Sequence, residues 1–243
     1  MRRFGLIGKT LKHSFSQSYF TRKFSESKLL DCRYDNFELS SINELPGLLE
    51  NTPNLRGFNV TIPYKLEVIP FLHHKMKMVE EIGACNCVRI NGSTLTGYNT
   101  DAIAFQSSLK KRLRPHHHCA LVLGSGGASK AVQYALKELG IDFFVVSRNK
   151  KFNQLGYEDI GEEMIRNHQI IINTTPLGMY PNIQDDPPIP YRALTTDHLL
   201  YDLVYNPEKT KFLQQGEQKG AEIINGLEML HAQAEESWKI WNT

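Results

Sequence analysis

The chain has 243 residues, 41% of them apolar, enough to bury a sizeable core in one or two domains. Its 28 Lys and Arg stand against 26 Asp and Glu, so at a net charge of +2 no global field points to nucleic acid or a membrane surface. Four cysteines, at 32, 85, 87 and 119, lack the spacing of a structural zinc site, and reduced thiols in a cytoplasm are the simplest reading.

Phe4 to Ile7 opens the chain as a strand, an apolar patch far too short for a signal peptide or a membrane span. Gly8 to Ser18 is polar and helix-breaking, and an amphipathic helical pattern starts at Tyr19 with Phe20 and Phe24. In the loop His13 to Ser16 the hydroxyls of Ser14 and Ser16 stand two apart, so an extended segment points both the same way. Beside a helix N-terminus they make a neutral clamp for a carboxylate, with simple N-capping as the plain alternative. Tyr34 to Leu39 alternates as a strand, and Ile42, Leu45, Leu48 and Leu49 outline a helix. Next, Phe58, Val60 and Ile62 share one face of a strand, leaving Asn59 and Thr61 on the other. Pro63 ends that ladder and fits a helix start, which puts Lys65 in the first helical turn. There the dipole lowers the pKa of an ammonium and makes Lys65 a candidate proton donor; a surface lysine is the plain alternative. The stretch Glu80 to Ile90 reads as loop into strand, with a hairpin at Asn91-Gly92 and a return arm from Thr94 to Tyr98. Asp101 then caps a helix starting at Ala102. Asn59, Thr61, Asn86 and Asp101 are thus polar groups at strand ends, where ligands collect in open α/β sheets.

Ala120 to Leu123 is apolar and uncharged, the mark of a strand buried on both faces of a parallel sheet. Gly124-Ser125-Gly126-Gly127 turns sharply, and from Ala128 a helix follows with Ala131, Val132, Ala135 and Leu136 inward. Strand, glycine turn and helix in that order form a dinucleotide-binding context: Gly124 permits the turn, Gly126 admits a pyrophosphate, and the helix start offers free N–H groups. Ser129 replaces the third fingerprint glycine, which should hold the helix slightly farther from the strand. The next strand, Ile141 to Val146, ends at Ser147-Arg148-Asn149-Lys150-Lys151. With no Asp or Glu there to take a ribose 2′-hydroxyl, three cations and two small polar groups suit a 2′-phosphate, which favours NADP over NAD and argues against a methyltransferase. A solvated basic turn is the plain alternative. His116-His117-His118 cannot all face one metal on a regular element, so no metal site is expected.

Between Lys151 and Gln169 no clear strand is seen. Ile170 to Ile172 is a buried strand ending in the polar Asn173-Thr174-Thr175-Pro176, and Pro181 to Pro190 is a proline-rich, acidic connection. Leu199 to Val204 forms a strand that leaves through Tyr205-Asn206-Pro207, Glu208 to Gly220 a helix, and Ile223-Ile224 a last short strand. In the helix after Gly226, Leu227, Leu230, Ala234, Trp238 and Trp241 follow the apolar stripe and Gln233 lies off it.

Ser14-Phe15-Ser16, Asn59 to Lys65, Gly83-Ala84-Cys85-Asn86, Gly97 to Asp101, Gly124 to Ala128, Asn173 to Met179, Tyr201 to Pro207 and Asn225 to Leu230 leading to Gln233 occur in this order in the shikimate dehydrogenase family, which the chain resembles over nearly its whole length. The resemblance implies an α/β fold of two domains with the active site in the cleft between them. Residues 1–101 with 227–243 would bind substrate and carry catalysis, and 102–226 would form a Rossmann-like NADP-binding domain. It implies reversible, NADPH-dependent reduction of 3-dehydroshikimate to shikimate. Ser14, Ser16 and Tyr205 would hold the substrate carboxylate, and Asn59, Thr61, Asn86, Asp101 and Gln233 the ring hydroxyls. Lys65 would donate the proton with Asp101 paired to it. For the cofactor it implies Gly124, Ser125, Gly126, Gly127 and Ala128 at the pyrophosphate, Ser147, Arg148 and Asn149 at the 2′-phosphate, and Thr174, Thr175, Val204 and Gly226 completing the site. Relaxed use of quinate or NAD is a variant, and a non-catalytic metabolite sensor is the reading from another class. The implied protein is cytoplasmic, a monomer or homodimer, without nucleic-acid or membrane partners. Three departures stand out: Ser147-Arg148-Asn149 where Asn-Arg-Thr is common, with Lys150 and Lys151 as substitutes; Glu228 where glycine is usual; and a shortened passage over 152–168.

Overall fold

Runs of apolar residues two apart or continuous build two sheets, each in its own compact unit, in a computed structural model that describes residues 1–12 and 14–243. His13 lies outside the described residues. One unit comprises Met1–Thr100 with Gln233–Thr243, the other Asp101–Ala232.

In the first unit the strands β1 (Arg2–Gly8), β2 (Cys32–Glu38), β3 (Leu55–Val60), β4 (His74–Lys75), β5 (Cys87–Asn91) and β6 (Thr94–Tyr98) lie in the order β2-β1-β3-β5-β6-β4. β1 is parallel to β2 and β3, whereas β5 is antiparallel to β3 and β6. Alternation sends Ile7, Phe58, Val60 and Val88 to one face, under α2 (Leu45–Glu50) and α3 (Lys77–Ile82). Phe4, Leu6 and Tyr34 go to the other, against Phe20 and Phe24 of α1 (Phe15–Glu26) and Ala234 and Trp241 of the C-terminal segment. The Trp241 ring stacks on Phe4 at 5.0 Å and its Nε1 donates to the Val88 carbonyl at 3.0 Å.

Two expectations in this unit fail for local reasons. α1 starts at Phe15 rather than Tyr19, because the Ser14 hydroxyl caps it by accepting from the Gln17 N–H. Ser16 therefore sits in a helical turn, and the extended geometry that would aim it alongside Ser14 does not exist. No α-helix follows Pro63 either. Residues 62–68 form turns, and only Ile69–Phe71 is helical, as a single 3₁₀ turn. Pro70 has no N–H to extend a helical ladder, and the Lys65 carbonyl accepts from the Cys85 N–H at 2.8 Å. The dipole argument for Lys65 thus has no helix to rest on. Ile62, beyond the end of β3, is 76% exposed rather than inward.

The second unit holds β7 (Cys119–Leu123), β8 (Asp142–Val146), β9 (Ile170–Asn173), β10 (Leu199–Asp202) and β11 (Glu222–Ile224), all parallel, in the order β11-β10-β9-β7-β8. The winding reverses at β7, as in a Rossmann-like sheet. Both faces are buried: Phe105, Val122, Ile172 and Tyr201 on one, Leu121, Leu123, Ile171 and Phe212 on the other. Its helices are α4 (Thr100–Lys110), α5 (Gly127–Glu138), α6 (Glu162–Asn167) and α7 (Lys211–Gln218), and α8 (Leu227–Trp241) belongs to it as far as Ala232 and to the first unit from Gln233 on. α4 starts two residues before its expected start, so Asp101 lies in the first turn instead of capping it. α7 starts late, at the cap supplied by Thr210. In α8 the buried side chains are Met229, Gln233, Ala234, Ser237 and Trp241, while Leu227 is 39% exposed. Gln233 therefore lies on the buried stripe, not off it.

None of the four cysteines is in a disulfide, and no helix among the described residues is long and apolar enough to cross a membrane. A Cβ added at Gly57 would lie 2.2 Å from the Trp241 ring and 2.8 Å from the Val88 carbonyl. Gly57→Ala is therefore expected to lower stability by about 1–3 kcal/mol, the usual cost of forcing a well-packed core. Urea unfolding followed by tryptophan fluorescence measures it, and an unmoved midpoint would show that the indole yields freely.

Candidate active site

Asn59 stands on β3 opposite to Phe58 and Val60 and is 4% exposed. Its Oδ1 accepts from the Tyr34 hydroxyl at 3.0 Å, and its Nδ2 donates to Ser237 Oγ at 2.8 Å and to the Asn86 carbonyl at 3.2 Å. Asn86 accepts the Thr100 N–H at 2.7 Å and donates to Thr100 Oγ1 at 3.0 Å. Thr100 Oγ1 lies 3.4 Å from Ser237 Oγ, which donates to the Gln233 carbonyl at 2.8 Å. Burial pushes the Tyr34 phenol well up, partly offset by a hydrogen bond with Ser16. Ser16, Asn59 and Asn86 are thus brought together, along with Tyr34, Thr100 and Ser237, which the sequence reading missed. Its one usable signal was a small polar residue, Ser237, four places after Gln233 on one helix face.

The amide inventory limits what each can offer a ligand. Both N–H groups of Asn59 are engaged internally, leaving only acceptor capacity, whereas Asn86 keeps one N–H. Ser14 and Thr61 are half-buried, and Gln233 is 9% exposed. Lys65 is half-buried in the first unit; Asp101, 7% exposed, opens the second. Burial raises the phenol of the half-buried Tyr205.

At the glycine turn, Gly124 has φ +111°, and a Cβ there would meet Thr174 Oγ1 at 2.6 Å. Gly126 is the N-cap of the twelve-residue α5 with φ −80°, and a Cβ there would meet no protein atom within 4 Å. Neither backbone nor packing demands glycine at 126, so the position fits close approach by a ligand, at a helix start with no side-chain cap and no acidic residue in its first turn. Ser129, fully buried, donates to the Gly124 carbonyl at 2.7 Å and so stitches the helix to the turn. Ser125 and Ser147 share a hydrogen bond at 3.1 Å across the ends of β7 and β8. Arg148 and Asn149 are exposed. Lys150, expected as a substitute phosphate contact, is already paired with Glu158 at 2.9 Å and Asp159 at 3.1 Å. Glu228 is surface-exposed and paired with Lys111. Gly226 has a packing reason of its own, since a Cβ would fall 2.1 Å from the Leu203 carbonyl. Of the three histidines, His116 and His117 both reach the Asp197 carbonyl, and among the described residues no group of three or more His, Cys, Asp or Glu is placed to hold a metal.

The ends of β9 and β10 are locked by Asp202, which has no exposed surface. Its Oδ1 accepts from Asn173 Nδ2 at 2.9 Å and the Val204 N–H at 3.0 Å, and its Oδ2 from Thr210 at 2.5 Å. Asn173 Oδ1 in turn accepts from the N–H and hydroxyl of Thr175, and Thr174 donates to the Leu123 carbonyl. Burial raises the Asp202 carboxyl to about 6 despite these donors.

A mixed α/β unit with a buried polar chain, joined to a parallel sheet with a bare glycine turn at its switch point, is the build of a nicotinamide-nucleotide-dependent dehydrogenase. Residues 6–88 match the family described as the shikimate dehydrogenase substrate binding domain. A shikimate dehydrogenase (NADP(+)) of Caldicellulosiruptor bescii is 38% identical over 99% of this chain and 89% of its own. The crystal structure of shikimate 5-dehydrogenase from Thermus thermophilus in complex with NADP(H) and shikimate superposes with a TM-score of 0.87 at 31% identity, over 99% of this chain and 93% of that one. Quinate dehydrogenase from Corynebacterium glutamicum in complex with NAD gives a TM-score of 0.87 at 25% identity, over 99% and 93%. The chain belongs to the shikimate dehydrogenase family.

Because the folded Asp202 carboxyl titrates at about 6 against 3.8 unperturbed, the native state holds its proton more tightly than the unfolded chain. Its contribution is fully present below the unfolded value and is lost as pH rises through about 6. The stability difference between wild type and Asp202→Asn should shift by about 2–3 kcal/mol against wild type between acid and neutral pH. Denaturant melts of both proteins across that range test it; a constant difference would place the titration elsewhere.

Proposed function

We propose that this chain catalyses the reversible, NADP-dependent reduction of 3-dehydroshikimate to shikimate. The observation that carries the reading is Gly126, a glycine that nothing in the protein requires, at an uncapped helix start on the switch point of the sheet. When bound, the reduced nicotinamide supplies hydride to the ketone carbon. Lys65 delivers the proton to the ketone oxygen, and Asp101 holds the ammonium and shares the proton relay. Ser14, Ser16 and Tyr205 bind the carboxylate as neutral donors. Thr61, Gln233 and the remaining N–H of Asn86 orient the ring hydroxyls, and Asn59 serves there only as an acceptor. Gly124 to Ala128 take the pyrophosphate, Ser147, Arg148 and Asn149 the 2′-phosphate, and Thr174, Thr175, Val204 and Gly226 complete the cofactor site. The same reading places the enzyme in the cytoplasm as a monomer or homodimer.

Use of quinate or NAD stands as a second reading, favoured by the pairing of Lys150 away from its turn. The sensor reading rested on Glu228, and the surface ion pair with Lys111 gives it no support.

Mixing the protein with shikimate and NADP⁺ and following the absorbance of the reduced nicotinamide tests the activity; no signal at neutral or mildly alkaline pH would overturn it. Lys65→Ala is expected to lower kcat by about 10²–10⁴ with KM nearly unchanged, the loss of a general acid. Turnover at the wild-type rate would remove Lys65 from the chemistry. Arg148→Ala should weaken NADP by about 1.5–3 kcal/mol, a charge-assisted contact, and NAD hardly at all. Equal loss of both would mean the turn does not read the 2′-phosphate.

A further inference from the structure

After β8 the chain returns quickly. The Ser147 N–H donates to the Leu155 carbonyl at 2.8 Å, the Leu155 N–H to the Val145 carbonyl at 2.9 Å, and Leu155 forms a single parallel bridge with Val146. This return lays the 3₁₀ turn Tyr157–Asp159 beside the basic turn. Lys150 Nζ meets Glu158 Oε1 at 2.9 Å and Asp159 Oδ2 at 3.1 Å, and Asp159 Oδ2 also accepts the Gly156 N–H at 2.8 Å, which anchors the carboxylate. The hydrogen bonds that Lys150 donates to these carboxylates raise its pKa, and Lys150 lowers that of Glu158. Arg148, by contrast, is exposed and makes no ion pair among the described residues. Tyr157, from the same acidic turn, lies within electrostatic reach of Arg148.

We propose that Glu158 and Asp159 set cofactor specificity by holding Lys150 away from the 2′-phosphate, so that discrimination between NADP and NAD rests on Arg148 alone among the cations at 148–150. This deepens the reading of the 147–149 turn given above. A dianionic phosphate arriving at the turn meets Arg148 and the exposed Lys151, neither in an ion pair among the described residues, and beside them a lysine whose neighbours carry one negative charge more than it neutralises. Repulsion from that excess offsets part of what Arg148 contributes.

The test is calorimetric titration of the purified protein with adenosine 2′,5′-bisphosphate and with adenosine 5′-monophosphate at one fixed ionic strength. All variants lie on the exposed turn, outside the cores. The wild type should prefer the bisphosphate by about ten- to a hundredfold, and Lys150→Met should change neither affinity by more than about twofold. Glu158→Gln with Asp159→Asn should tighten the bisphosphate by about three- to tenfold and leave the monophosphate unchanged, as removal of two nearby charges predicts. Adding Lys150→Met to that pair should cancel the gain. A tenfold loss from Lys150→Met in the wild type, or no gain in the double variant, overturns the proposal. Arg148→Ala separates the two levels: if it leaves bisphosphate binding intact, the 2′-phosphate is not read at this turn and the underlying assignment falls instead.

Discussion

The side-chain amide of Asn59 joins three elements of the first unit that are distant in sequence. It ties β3 to Tyr34 of β2, to the backbone of Asn86, and to Ser237 of the C-terminal segment. Each group in that chain is buried, and a buried polar group left without its partner costs about 1–3 kcal/mol, so none is replaceable singly. The chain runs on through Thr100 to the side chain of Asn86, and so sets where the free N–H of Asn86 stands and where α4 begins. Asp101 follows Thr100 directly. The placement of Asp101 thus depends on an alternation in β3 that puts Phe58 and Val60 into one core and Asn59 into the opposite face.

In the second unit a carboxylate does the corresponding work. Asp202 takes three hydrogen bonds where β9 and β10 end, one from the Val204 backbone N–H and two from the side chains of Asn173 and Thr210, while Thr174, Thr175 and Thr210 all turn their hydroxyls inward. The loop that carries Thr174 and Thr175 is therefore rigid at its root, and its side chains organise the loop as much as they are available to a ligand. Gly126 shares with Gly161, the N-cap of the six-residue α6, the lack of any protein atom that a Cβ would meet, but Gly161 leads into Glu162 and Glu163 whereas the first turn after Gly126 carries no acidic residue.

What the sequence made legible, and what it hid, separates along physical lines. Strands buried on both faces carry continuous apolar runs, so Ala120 to Leu123 and Ile170 to Ile172 were readable within a residue. Helix starts were not, because hydroxyl caps compete with apolar periodicity: Ser14 started α1 early and Thr210 started α7 late. The helix expected after Pro63 was lost to a second proline and to backbone bonds with a segment twenty residues on. In α8 the polar Gln233 was read as off the apolar stripe and Ser237 was not read at all, although both are buried. Motifs marked Asn59 and Asn86 as candidates, but not that each would be engaged by Tyr34, Ser237 or Thr100, since pairing across such separations follows only from the sheet register.

Charge is where linear reading and folded structure differ most. A parallel pair of strands ordinarily needs a crossover of about a dozen residues or more, usually with a helix. Here the return to Val146 takes place at Leu155, with room only for turns, and the large side chains of Phe144 and Phe152 stay 47% and 94% exposed. A longer helical passage would carry the acidic residues after it away from the strand end. The short one brings Glu158 and Asp159 back onto Lys150. A block that reads as three cations in sequence is, once the backbone closes, a turn in which one cation is outweighed by two anions. The electrostatics of the cofactor end therefore follow from loop length, and a change in that length can alter specificity while every residue of the basic turn stays the same.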